Sequence, residues 1–180
     1  MLNPEKQCEI DEKIYNEIVL KTGLRCPENS ILEIANKLGV DVFLVDLKEK
    51  TGKPNINGMI DYSKNKQDPK IFLDKSISIN RRNFTLAHEL GHLLLHKPKI
   101  NGRFRMDSIN LYTSEEDKQE EWQANYFAAS LLVPKEKLLK FMNSPDIFEN
   151  TDKIAEYFAV SEEVIINRIR WLKRNAETEN

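Results

Sequence analysis

The sequence predicts an α+β fold: a small three-stranded sheet, mostly antiparallel, packed with a helical core and extended by C-terminal helices. Three observations carry this reading. Segments rich in β-branched and aromatic residues cluster between residues 40 and 73, helical periodicity precedes and follows them, and helices outnumber strands. With 180 residues and 40% hydrophobic content, the chain can build one sizeable core. The expected division is a core over residues 1–135 and a helical subdomain over residues 136–180.

Asp11 to Lys21 place Ile14, Ile18 and Val19 at helical spacing, and Gly23 can adopt the left-handed conformation that ends a helix. Ser30 with Glu33 forms a capping-box pattern opening a short helix, whose stripe is Ile31, Ile34, Ala35 and Leu38. The strands are Val40 to Leu47, Gly58 to Tyr62 and Lys70 to Leu73, the last two forming a hairpin across the polar stretch SKNKQDP. From Arg81 to Lys97 the pattern turns helical, and Pro98, which lacks an amide donor, stops it. Ser114 with Asp117 opens another helix that runs to Val133 before Pro134. Its interior, WQANYFAASLLV, is apolar nearly all round and so should be buried. Shorter helices finish the chain, the last from about Glu162 to Arg174.

A net charge of -2, from 27 basic and 29 acidic residues, gives no global reason to expect nucleic acid as the main partner. The N-terminal MLNPEKQCEIDEK lacks the basic-then-apolar order of an export signal, and no apolar run approaches the roughly 18 residues of a membrane span. The expectation is a cytoplasmic protein with no membrane association. Cys8 and Cys26, far apart and in no CxxC pair, fit a reducing compartment as ordinary thiols.

The stretch FTLAHELGHLLLH, Phe84 to His96, holds all three histidines of the chain. Histidines at i and i+4 on a helix face the same side about 6 Å apart along the axis, so the imidazoles of His88 and His92 can converge on one cation. Glu89 stands where the general base of a zinc protease stands, its carboxylate within reach of an activated water. A surface helix carrying these letters by chance is the bland alternative. The apolar flanks Leu86, Ala87, Leu90, Leu93 and Leu94 weigh against it, because they draw imidazoles and a carboxylate into a buried setting that demands compensation.

His96, one turn further, lies beyond comfortable ligand reach of that cation, and Leu95 stands where the HExxHxxGxxH pattern needs glycine. It is expected behind the ligands as a group that supports them, as a packing residue or as a cation at the helix C-terminus, with direct ligation the lesser alternative. A catalytic zinc takes three protein ligands. With no histidine left and the cysteines remote, a carboxylate must be the third, and SEEDKQEEWQANYFAASLLVP is the richest source. Glu121 shares a face with the small residues Ala124 and Ala128 and with Asn125, and is the first choice, with Glu120 in reserve. Gly91 can serve the same close approach from the motif helix. Asn125, one turn on, can orient a ligand by hydrogen bonding. The donor set suits Zn2+ and also Mn2+.

The two stretches Phe84 to His96 and Glu121 to Pro134, in that order, resemble the ImmA/IrrE-type zinc metallopeptidases, with weaker support from ILEIANKLGVDVFLVDL, NGMIDY and KIFLD. The resemblance implies a zincin-like core in which His88, His92 and Glu121 bind the metal and Glu89 activates water. It also implies that the substrate is a helix-turn-helix transcriptional repressor, cleaved to relieve repression of a mobile element, prophage or stress response. Gln123 and Val133 depart from residues common in the family, glutamate and methionine, without removing chemistry.

Ile154 to Leu172 resembles a helix-turn-helix, but Glu162 and Glu163 at the start of its second helix would meet phosphates, which argues against DNA binding and for a packing or substrate-docking element. The reading is thus an endopeptidase, with Tyr62, Tyr112 and Tyr126 as candidates to stabilise the oxyanion. The loop from Lys97 to Thr113 is expected to border the cleft. The rival is a non-hydrolytic regulatory protein that binds a repressor or DNA.

Overall fold

The computed structural model describes residues 3–61, 69–96, 105–106, 114–142 and 147–178. Helix α1 (Pro4–Ile14) starts well before Asp11, because the Asn3 side chain accepts from the Lys6 amide at 2.8 Å and proline occupies the first turn. It continues through a π-helical segment, Tyr15–Leu20. Helix α2 (Ile31–Lys37) carries both bonds of the Ser30–Glu33 capping box. Strand β1 (Asp41–Val45) stops short of the expected Leu47. The Asp46 side chain accepts from the Glu49 amide at 3.0 Å and starts a helical turn, α3 (Leu47–Thr51), that periodicity did not reveal.

Strands β2 (Gly58–Asp61) and β3 (Lys70–Asp74) pair antiparallel, with Met59 opposite Phe72. Strand β1 joins β3 in parallel, placing Phe43 opposite Phe72 with the two rings stacked at 5.3 Å. A two-residue strand, β4 (Arg105–Met106), adds to the far side of β2, so the sheet order is β1-β3-β2-β4 and its pairing is mostly antiparallel. The fold is the expected α+β type, with a minimal fourth strand beyond the three read from sequence.

Helix α4 (Ile79–Leu95) packs on β2 and β3, and helix α5 (Glu115–Leu132) covers its other side. Their N-caps are Ser78, accepting from the Arg81 amide, and Ser114, accepting from the Asp117 amide at 3.1 Å. The two helices approach closely at Gly91, where a Cβ would lie 3.0 Å from the Phe127 ring and 3.2 Å from Ala124 Cα. Helices α6 (Lys135–Met142), α7 (Thr151–Phe158) and α8 (Glu162–Thr178) follow, with a 3-10 turn, Ile147–Asn150, before α7. The main hydrophobic cluster runs from Ile10 through Leu90 and Phe127 to Ile165 and Ile169, so α1, α4, α5 and α8 share it. Both cysteines are free, and burial pushes the Cys26 thiol up to about 12.

Candidate metal centre

Helix α4 places His88 and His92 one turn apart, both buried, with their Nε2 atoms 2.9 Å from each other. Across from them, α5 presents Glu121. Its Oε2 lies 3.2 Å from His88 Nε2 and its Oε1 lies 3.1 Å from His92 Nε2. The close packing of α4 on α5 at Gly91 makes this juxtaposition possible, since a larger residue there would separate the helices. Among the described residues, His88, His92 and Glu121 are the group of three donors that one ion could share. Glu120, the reserve, is only half-buried and stands outside the group.

The donor set can be tested against a metal. Ligands about 2.1 Å from a common tetrahedral zinc stand about 3.4 Å apart, and the observed separations of 2.9–3.2 Å are close to that spacing. Two imidazoles and one carboxylate also match the ligand chemistry of catalytic zinc sites. The residues fit such an ion. Burial opposes ionisation of Glu121, but hydrogen bonds from His88 and His92, together with their charge, hold its carboxyl well below the usual range.

The far nitrogens are engaged as well. His88 Nδ1 lies 3.0 Å from Asn125 Oδ1, and His92 Nδ1 lies 3.0 Å from His96 Nδ1. His96 Nε2 in turn lies 3.1 Å from Gln123 Oε1. An imidazole that binds a cation through Nε2 carries its proton on Nδ1. In that state His88 donates to Asn125 and His92 donates to His96, leaving His96 to donate through Nε2 to Gln123. Gln123 thus closes a neutral chain behind the second imidazole. In the sequence, Gln123 stands out only as a departure from the family's common glutamate. The available signal was its place with Glu121 and Asn125 as one of three polar residues leading into a buried helix.

Glu89 is fully buried and its carboxylate is not part of the donor group. It presses on the first residue of β2. A Cβ on Gly58 would sit 2.6 Å from Glu89 Oε1 and 2.5 Å from Thr85 Cγ2. Gly58 therefore gives the carboxylate room beside the strand, a role nothing local in the sequence announced. Tyr126, one of three oxyanion candidates, is engaged by residues of α1 and α8. Its hydroxyl donates to Asp11 Oδ2 at 3.1 Å, and its ring lies 5.5 Å from that of Trp171. Tyr62, Tyr112 and most of the loop from Lys97 to Thr113 lie outside the described residues.

His88, Glu121 and Asn125 open onto a cleft of about 1160 Å³, whose other walls include Trp122, Asn167 and Trp171. No described helix is long and apolar enough to cross a membrane. A family model, the IrrE N-terminal-like domain, matches residues 35–170, most of the chain. No curated protein matches it.

Proposed function

The chain belongs to the peptidase family of the IrrE N-terminal-like domain, and from that premise we propose that it is a zinc-dependent endopeptidase working at His88, His92, Glu89 and Glu121. The observation that carries the reading is the convergence of two imidazole nitrogens and one carboxylate within 3.2 Å of one another at the wall of a cleft. A divalent ion bound there supplies Lewis acidity, polarising a peptide carbonyl and making water a stronger nucleophile at neutral pH.

The chain's own residues do the rest. His88 and His92 hold the ion through Nε2, and Asn125 and His96 fix the planes of those rings. Glu121 adds the negative charge that balances a dication. Glu89, held off the ligand set by its packing against β2, takes a proton from the attacking water and returns it to the departing amine. Peptide-bond hydrolysis consumes one water and yields one carboxylate and one amine, so Glu89 ends as it began.

The substrate proposed from the family resemblance is a helix-turn-helix transcriptional repressor in the same cytoplasm. Incubating the zinc-loaded protein with the repressor encoded beside it tests this. Fragments that disappear with a chelator and with Glu89→Gln support the endopeptidase. A stable complex, with no fragments from the parent protein, supports the rival binding role.

A further inference from the structure

We propose that α8 is the substrate-reading wall of the cleft, where Val164 and Trp171 select a large apolar residue beside the scissile bond and Asn167 binds the adjoining peptide link. The proposal rests on the peptidase reading above and names the part of the substrate that this chain recognises.

Helix α8 has two faces. Ile165, Arg168, Ile169 and Leu172 are buried in the core. Val164, Asn167 and Trp171, at spacings of three and four residues, form a half-buried stripe that lines the cleft shared with His88 and Glu121. From α5 the cleft receives Trp122, 47% exposed despite its size, and from α4 it receives Phe84. Large apolar surface left open inside a concave site marks where a ligand's apolar group is covered. Asn167 has no hydrogen-bond partner for its side chain among the described residues. A carboxamide both donates and accepts, which is the complement of a peptide link.

The wall is fixed in place by the helix that carries the histidines. Asn80 Nδ2 donates to Val160 O at 3.0 Å, and Asn83 Nδ2 donates to Ala159 O at 3.1 Å, so the α7–α8 turn is tied to the first turns of α4. Arg168, 1% exposed, donates through Nε to Val133 O at 3.3 Å at the end of α5, with its guanidinium 5.2 Å from the Tyr126 ring centre. A DNA-reading helix offers its N-terminal half to the groove. Here Ser161, Glu163, Val164 and Asn167 at that end line the cleft instead, and the helix opens with the acidic pair Glu162 and Glu163.

The test uses the full zinc-loaded chain and a peptide library varied at the positions flanking the cut. The parent is expected to cut peptides with Leu, Phe or Met at one flanking position roughly tenfold or more faster, in kcat/KM, than those with Lys or Asp. Val164→Glu, a change that also suits a helix start, should swing that preference roughly tenfold toward Lys. Asn167→Leu should slow every peptide without reordering the side-chain preference. Unchanged thermal unfolding shows that these variants fold, and peptide binding to the Glu89→Gln chain, read by fluorescence polarisation, should follow the same preference without turnover. A preference that survives Val164→Glu, together with rates that Asn167→Leu leaves unchanged, overturns the role of α8 and leaves the peptidase standing. A parent that cuts nothing, with a Glu89→Gln chain that binds no peptide, overturns both. Duplex DNA bound by the parent and lost in Asn167→Leu makes α8 a DNA reader and overturns the proposal.

Discussion

Each imidazole of the donor pair is held from behind by a different residue of α5, directly for His88 and through His96 for His92. Removing such support commonly weakens a metal site about 10- to 100-fold. We therefore expect Gln123→Leu and His96→Phe each to raise the zinc dissociation constant by about tenfold or more, measured by competition with a chromogenic chelator, while the unfolding temperature of the metal-free protein stays within a few degrees. Glu89→Gln should leave zinc stoichiometry unchanged and remove cleavage, because the proposed proton carrier lies outside the donor group. At this scale the sequence is most legible where the chemistry is local. The i, i+4 spacing alone puts His88 and His92 together, whereas the partnership of His96 with Gln123 depends on how two helices meet, which no spacing within either helix encodes.

Between elements, glycines set distances that side chains then exploit. Gly58→Ala puts a methyl group 2.6 Å from Glu89 Oε1 and 2.5 Å from Thr85 Cγ2, so the carboxylate must shift. Overpacking of this kind costs about 1–3 kcal/mol. The expected outcome is cleavage reduced by at least about tenfold, since a small misplacement of a reacting group is that costly, with zinc still bound. Asp74 gives a separate test at the end of β3. Burial opposes its ionisation, but hydrogen bonds from Ser76 and from the Leu47 amide, with the charge of Lys75, hold its carboxyl below the usual range. A depressed carboxyl stabilises the fold above the unfolded pKa of about 3.9, and that contribution is lost as pH falls through the lower folded value. Asp74→Asn should therefore lower stability at pH 7 and weaken the loss of stability below about pH 4, as read by denaturant titration across pH. Helix starts such as Ser30–Glu33 and Ser114–Asp117 were legible because a cap is a contact three residues long. The end of β1 was not, because Asp46 continues the strand-like pattern while its side chain starts α3. The parallel pairing of β1 with β3 was equally hidden, since strand order is decided by long-range packing.

For the whole molecule, the histidines sit on α4 and the third donor on α5, and α8 closes the cleft from residues near the other end of the chain. The helix-turn-helix pattern of the tail was visible in the sequence. Its orientation was not, because the amphipathic spacing that suits a DNA reader equally suits a helix docked by Asn80, Asn83 and Arg168. Since the donor group exists only when α4 and α5 are packed, a bound ion should stabilise the folded chain. At a free zinc concentration one hundred times the dissociation constant the gain is about 2.7 kcal/mol, seen as a rise in unfolding temperature that a chelator reverses and that His92→Ala abolishes. The most direct measurement is a crystal structure with anomalous data collected on both sides of the zinc edge. One anomalous peak is expected about 2.0–2.2 Å from His88 Nε2, His92 Nε2 and a Glu121 oxygen, with Glu89 outside the coordination sphere. A peak held by other residues, or none at saturating zinc, would contradict the proposed site.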